Sequence, residues 1–251
     1  TISPYCRRSA KNIDSIFAEY RKNVGRFIFD RQVASVFDDM INRSVPGYGA
    51  VISMTRLFAA GYAQADSNCY DLGCSTGAGA LAMAEGIDRP GCRITAVDNS
   101  KAMTDKCSEN VKKFSGDTPV TVLTADAAEM EFERASVVAA NFVLQFISPP
   151  QRDRILARIH KGMLKGGVLI ISEKITSDDS GENDFNTRMY HDFKREQGYS
   201  SLEISQKRRA LEDVLIPDTL DQHYQRLKRT GFSDFYLWFR CFNFVSIAAF
   251  K

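Results

Sequence analysis

No stretch of this chain is apolar for long enough to cross a membrane. The longest nearly apolar run, Phe242 to Phe250, is broken by Asn243 and Ser246 and falls short of the roughly 18–20 residues a spanning helix needs. Charge of one sign is missing too: 33 Lys and Arg stand against 31 Asp and Glu, a formal net charge of +2, so no overall field draws the chain to nucleic acid or an anionic surface. The six cysteines, Cys6, Cys69, Cys74, Cys92, Cys107 and Cys241, make no Cys-x-x-Cys or Cys/His cluster, and His160, His191 and His223 are scattered. No metal is expected, and the thiols read as structural ones in a reducing compartment. Thr1 to Asn12 carries cations without the apolar core of a signal peptide. The expectation is a cytoplasmic protein with no membrane contact and no direct contact with nucleic acid.

What is present is organised around Asn68-Cys69-Tyr70-Asp71-Leu72-Gly73-Cys74-Ser75-Thr76-Gly77-Ala78. A short strand ends at Leu72, a turn of small residues follows, and Ala78 to Glu85 reads as a helix. Gly73 and Gly77 allow a left-handed backbone or close approach to a ligand, and the helix start behind them offers unpaired N–H groups. A dinucleotide fingerprint would need glycine at the third and sixth positions from Gly73, where Ser75 and Ala78 stand, and Asp71 would set a carboxylate beside a phosphate. Asp-x-Gly-x-Ser-x-Gly instead resembles the first motif of class I S-adenosylmethionine-dependent enzymes. A plain βα turn without a ligand is the other reading of the motif taken alone.

The rest of the chain, 251 residues, suits a single α/β domain. Residues 1–23 read as a polar, loosely held arm, and residues 24–62 as a helical lid of two helices, in which Pro46 and Gly47 form a turn that holds Tyr48. From residue 63 strands and helices alternate, the signature of a doubly wound parallel sheet. Strands are expected at Cys69–Leu72, Cys92–Val97, Pro119–Leu123, Ser136–Phe142 and Val168–Ser172. A helix opening at Pro149 and carrying Leu164 is expected to stop at Gly166-Gly167. Residues 174–217 form a charged helical excursion of the kind on which substrate specificity is grafted. A helix from Leu220 to Lys228 and a tight antiparallel pair, Phe235–Arg240 with Phe242–Phe250, close the chain. Seven mostly parallel strands with one antiparallel is the Rossmann-like sheet of the class I methyltransferases.

Ligands of open α/β sheets lie at the carboxyl ends of the strands. Asp71 with Gly73, Asp98, Asp126 and Asn141 fall at four such ends. Asp98 can accept from both ribose hydroxyls, Asp126 with the Ala127 N–H can take an adenine edge, and Asn141 can meet an amino acid moiety. Singly, each is an ordinary turn former or cap; together, in this order, they point to a nucleoside.

Further segments carry a closer likeness: Ser44-Val45-Pro46-Gly47-Tyr48, Asn141-Phe142-Val143-Leu144-Gln145-Phe146, His191-Asp192-Phe193-Lys194-Arg195, Ser205-Gln206-Lys207-Arg208-Arg209 and Leu237-Trp238-Phe239-Arg240-Cys241-Phe242-Asn243-Phe244. On these the chain resembles the carboxy-S-adenosylmethionine synthase family from about Phe27 to its end. The resemblance implies S-adenosyl-L-methionine as a substrate, or carboxy-S-adenosyl-L-methionine, held by Tyr48, Gly73, Cys74, Ser75, Asp98, Asn99, Asp126, Ala127, Asn141 and Arg208. It implies transfer of a carboxyl group from prephenate to the sulfonium methyl carbon, with release of phenylpyruvate. It also implies a homodimer and a functional link to a tRNA carboxymethyltransferase that makes the 5-oxyacetic acid form of wobble uridine. Arg208 carries the catalytic expectation, because a carboxylate built onto the ligand needs a cation, and a guanidinium offers a two-pronged fit. No general base is assigned, since in the family hydroxide lost from prephenate takes the methyl proton. Departures from the family are Thr76 in an apolar position, Ala125-Asp126-Ala127 for a Gly-Asp-Ile type of segment, the missing paired arginines near Ala82-Met83-Ala84-Glu85, and Tyr190 before His191 in place of a second histidine. An ordinary methyltransferase and a non-catalytic nucleoside-binding module are the alternatives, and Arg208 is what separates them from the carboxyl transferase.

Overall fold

In the computed structural model residues 13–251 are described; the expectation for Thr1 to Asn12 lies outside them. Helices α1 (Arg31–Ser44) and α2 (Tyr48–Tyr62) precede β1 (Asn68–Leu72), α3 (Ala78–Gly86), β2 (Arg93–Asp98), α4 (Lys101–Val111), β3 (Val120–Thr124) and β4 (Ala135–Asn141). After α5 (Pro149–Gly162) and β5 (Met163–Lys174) come α6 (Ser180–Glu196), α7 (Ser201–Leu211), α8 (Leu220–Arg229), β6 (Asp234–Cys241) and β7 (Phe244–Phe250). The strands join one seven-stranded sheet in the order β3-β2-β1-β4-β5-β7-β6. Pairings among β1 to β5 are parallel, while β7 runs antiparallel to both β5 and β6. The order reverses between β1 and β4, which places the switch point at the glycine turn.

Apolar residues line both faces of the sheet, as strands buried on two sides require. On one face Ala59 of α2 and Met83 of α3 pack with Ile94, Val137 and Ile170; on the other Ile155 and Ile159 of α5 and Leu227 of α8 pack with Leu72, Val138 and Leu169. A third cluster brings Phe17 and Phe27 onto Val33, Phe37 and Met40 of α1, together with Met103 and Ala210. Each such phenylalanine contributes about 1.5–3 kcal/mol of burial.

The arm is therefore not loose over residues 13–21. Gln206 of α7 donates to the carbonyls of Phe17 (2.9 Å) and Glu19 (2.8 Å) and accepts from the Arg21 N–H (2.7 Å). Asp14 is 2% exposed and accepts from the Tyr199 hydroxyl at 2.5 Å and from Lys207 Nζ at 3.5 Å. The arm thus clamps α7 to α1.

One boundary differs from the sequence reading. Helix α5 stops at Gly162, and Leu164, Gly166 and Gly167 belong to β5. Met163 already pairs with Ala135, and the ladder resumes at Val137 with Val168, so the intervening residues of β5 bulge out. Gly166 takes φ +78° at that bulge and donates its N–H to the Lys251 carbonyl (2.6 Å). Two glycines that resemble a helix stop serve a bulge instead.

Candidate active site

The turn after β1 is shaped by residues with positive φ: Gly73 (61°), Ser75 (48°) and Gly77 (95°). A Cβ on Gly73 would stand 2.5 Å from Val143 Cγ2, so this turn lies directly against the segment after β4. Asp71 is 3% exposed and tucks under the start of α3. Burial pushes its carboxyl up to about 7, with the Ala80 N–H opposing and Asp98 adding to the rise. Thr76, the departure from an apolar position, has a purpose here: its hydroxyl donates to Asp38 Oδ1 at 2.6 Å and ties the turn to α1.

Asp98 holds the turn from the neighbouring strand. Its carboxylate accepts from the Ser75 N–H (3.0 Å) and the Ser100 N–H (2.8 Å), and burial raises its pKa above the usual range against both bonds. Each oxygen keeps a free lone pair toward the crevice. Asp126 caps a short 3₁₀ turn by accepting from the Ala128 N–H at 2.9 Å, which leaves the Ala127 N–H beside it. The Asn141 amide is fixed at both ends, donating to Thr55 Oγ1 (3.3 Å) and accepting from Ser172 Oγ (2.7 Å). Tyr48 opens α2 behind Gly47, whose φ of 78° and contact with the Phe239 ring leave no room for a side chain.

These residues surround one cavity of about 600 Å³, within the usual range for small-molecule sites. Tyr48, Gly73, Cys74, Ser75, Asp98, Asn99, Asp126, Ala127, Asn141 and Arg208 all line it, and so does Asp71. A nucleoside suits this half: flat backbone, carboxylates with spare acceptors and an orientated amide, with no cation placed for a phosphate. Another part of the lining comes from the excursion and is cationic, with Lys174, His191, Lys194, Lys207 and Arg208. Arg208 projects from α7 with an exposed side chain. It lines the cavity of its own chain, and among the described residues no hydrogen bond or ion pair engages its guanidinium. Its charge, with that of Lys194, helps to lower the pKa of His191, although burial is the first cause.

Several participants were not singled out from the sequence. Glu173, 1% exposed, accepts from the N–H groups of Val143 (3.1 Å), Leu144 (2.7 Å) and Gln145 (3.1 Å). It thereby fixes the segment that abuts Gly73, where Phe142 takes φ +62°. Burial raises the Glu173 carboxyl to about 8, opposed by those three bonds and by Arg152. Only its place at the end of β5 could have suggested it. Behind this floor Arg152, fully buried, binds Asp218 at 2.5 Å, and Arg226 binds the same carboxylate at 2.7 Å.

Comparison with known proteins agrees with this geometry. A family model described as a methyltransferase domain matches residues 70–167, from β1 into β5. Among solved structures, an S-adenosylmethionine-dependent methyltransferase assignment from Methanococcus maripaludis superposes with a TM-score of 0.61 at 17% identity, covering 93% of this chain and 97% of that one. Human N-acetylserotonin methyltransferase does so with a TM-score of 0.59 at 18% identity, covering 88% and 55%. These likenesses establish the class I methyltransferase fold. Carboxy-S-adenosyl-L-methionine synthase of Geobacter metallireducens is 54% identical over 239 residues, 95% of this chain and 98% of that protein. Its namesake in Shewanella sediminis is 48% identical over 238 residues, again 95% and 98%. With identity of this degree over nearly the full length, the chain belongs to the carboxy-S-adenosyl-L-methionine synthase family.

Proposed function

We propose that the protein converts S-adenosyl-L-methionine and prephenate into carboxy-S-adenosyl-L-methionine, phenylpyruvate and water. The strand-end half holds the nucleoside: Asp98 with Asn99 takes the ribose, Asp126 with the Ala127 N–H takes the adenine edge, and Tyr48, Gly73, Cys74, Ser75 and Asn141 surround the amino acid portion. S-adenosyl-L-methionine supplies the activated methyl carbon that receives the carboxyl group. The observation that supports the reading is Arg208, a guanidinium with no hydrogen bond or ion pair among the described residues, on the lining of the same cavity as the glycine turn. An unpaired buried carboxylate costs several kcal/mol or more, and a two-pronged guanidinium contact offsets that cost in a way that methyl transfer would not require. The ring carboxyl of prephenate is the group transferred; its departure and that of hydroxide aromatise the ring, and the hydroxide combines with the methyl proton as water. No side chain need act as the base.

In this reading the protein acts in the cytoplasm as a homodimer and supplies the carboxylated product to a tRNA carboxymethyltransferase, without touching tRNA itself. The test is mass spectrometry of small molecules after incubation with both substrates. A species heavier than S-adenosyl-L-methionine by one carboxyl supports it; unmodified substrate from active, folded protein contradicts it.

A further inference from the structure

Lys194 is a lysine in an unusual position. It is 5% exposed on α6, yet among the described residues no hydrogen bond or ion pair reaches its ammonium, which lies over the Tyr190 ring at 4.5 Å from Nζ to centroid. Lys174, at the end of β5, places its own Nζ 4.8 Å from the same ring and likewise has no acidic partner. Both lysines line the cavity.

Lys207 provides an internal comparison. It is as buried, 6% exposed, but its ammonium lies 3.0 Å from Ser44 Oγ and 3.5 Å from Asp14 Oδ2. Asp14, already bonded to Tyr199 and Lys207, also favours the charged form of Lys194 from a distance, but it makes no hydrogen bond or ion pair to it and burial outweighs it. A ring face offsets less than the cost of removing an ammonium from water. Burial accordingly pulls Lys194 down to about 8 and lowers Lys174 too, with Lys194 and Arg208 contributing to the latter. The other charged or titratable groups around this wall are His191, Lys207, Arg208, Glu212 and, beside Lys207 and Tyr199, Asp14. The balance is positive, which favours an anion as the group that completes it.

Its shape is written in the neighbouring rings. Tyr190 packs on Phe244 (5.1 Å between centroids), Phe244 on Phe142 (6.2 Å) and Phe142 on Tyr48 (6.3 Å). This aromatic row runs from the lysine pair to the tyrosine beside the glycine turn, and every member lines the cavity. A carboxylate at one end and a flat carbon ring along the row suit a small cyclic carboxylic acid, the class to which the donor of the proposed function belongs.

We propose that Lys174 and Lys194, flanking Tyr190, bind the carboxylate that the donor keeps, the one on its α-keto acid side chain, while the ring lies along Phe244 and Phe142. The inference rests on the proposed function and deepens it, by dividing the donor's two carboxylates between two places. The transferred one goes to the Arg208 side; the retained one stays on the lysine pair and leaves with phenylpyruvate. Tyr190, which departs from the family's second histidine, is then the platform between the two ammonium groups.

The test uses Lys194→Met and Lys174→Met in steady-state assays with prephenate, with phenylpyruvate as inhibitor, and in calorimetric titration of phenylpyruvate into protein saturated with S-adenosyl-L-methionine. A hydrogen bond to a charged group corresponds to roughly tenfold to hundredfold in affinity. Each variant should raise the KM for prephenate and weaken phenylpyruvate by about that factor, with kcat and the affinity for S-adenosyl-L-methionine within about threefold. Lys194→Met should also melt no lower than the parent, because it removes a buried unpaired charge. Unchanged KM and unchanged phenylpyruvate binding in both variants overturn the inference while leaving carboxyl transfer intact. If the parent makes no carboxylated product, the function fails separately, and calorimetry still decides the lysine pair: no phenylpyruvate binding to the parent, or equal binding to the variants, sinks it.

Discussion

The two walls of the cavity are built on opposite plans. At the strand ends three polar side chains are already committed: Asp98 to Ser75 and Ser100, Asp126 to Ala128, Asn141 to Thr55 and Ser172. On the excursion side the charged ends of Lys174, Lys194 and Arg208 have no hydrogen-bonding partner among the described residues, whereas that of Lys207 is paired. The first wall is preorganised and presents leftover acceptors to a neutral or cationic ligand. The second stores unbalanced positive charge, which only an incoming anion relieves. Electrostatic preorganisation of the one and electrostatic frustration of the other fit a protein that holds a nucleoside and then admits a small acid beside it.

Four perturbations would break or sharpen that contrast. The largest effect is expected where the excursion is anchored: Asp14→Asn leaves Lys207 buried without its counterion and should cost about 3 kcal/mol of stability or more, measured by denaturant titration. Adding Lys207→Met to Asp14→Asn should recover part of the loss, as a double-mutant cycle would show. Next, Gly73→Val forces a left-handed position and meets Val143 at 2.5 Å; calorimetry should find S-adenosyl-L-methionine affinity reduced about a hundredfold or more. Arg208→Leu should keep that affinity within about threefold, while formation of carboxylated product falls roughly tenfold to hundredfold.

The smallest effect is in pH. Lys194 has a folded-state pKa of about 8 against its ordinary 10.5, so between those values the unfolded chain binds more protons and stability rises with pH. Thermal melts across that window should show the rise, and Lys194→Met should reduce its slope. A remainder will persist, because Lys207, also lowered to about 8, works in the same direction. A saturating keto acid should flatten the Lys194 contribution by holding the ammonium charged.

How far the sequence led follows the same division. The strand-end wall was legible because its residues are tied to strand period and to a turn whose glycines have a backbone reason. The excursion wall was less so, because a run such as Lys207-Arg208-Arg209 reads as one solvated face. The helix divides it: Lys207 is buried, Arg208 lines the cavity and Arg209 faces solvent. Nothing local marks Asp14 as the partner of Tyr199 and Lys207, since that contact joins segments far apart in the chain. Glu173 was hidden for a similar reason, its ligands being backbone N–H groups on another strand's exit. The bulge at Gly166 was mistaken for a helix stop because glycine at φ > 0 serves both, and the pairing of Met163 with Ala135 that decides between them is not local.

The most direct measurement follows a single carbon. Prephenate labelled at its ring carboxyl with carbon-13, incubated with the protein and S-adenosyl-L-methionine, should place the label in carboxy-S-adenosyl-L-methionine by mass spectrometry, and Arg208→Leu should largely abolish that transfer while still binding the nucleoside. Label recovered only as carbon dioxide or unreacted prephenate, with S-adenosyl-L-methionine unchanged in the parent protein, would contradict the account.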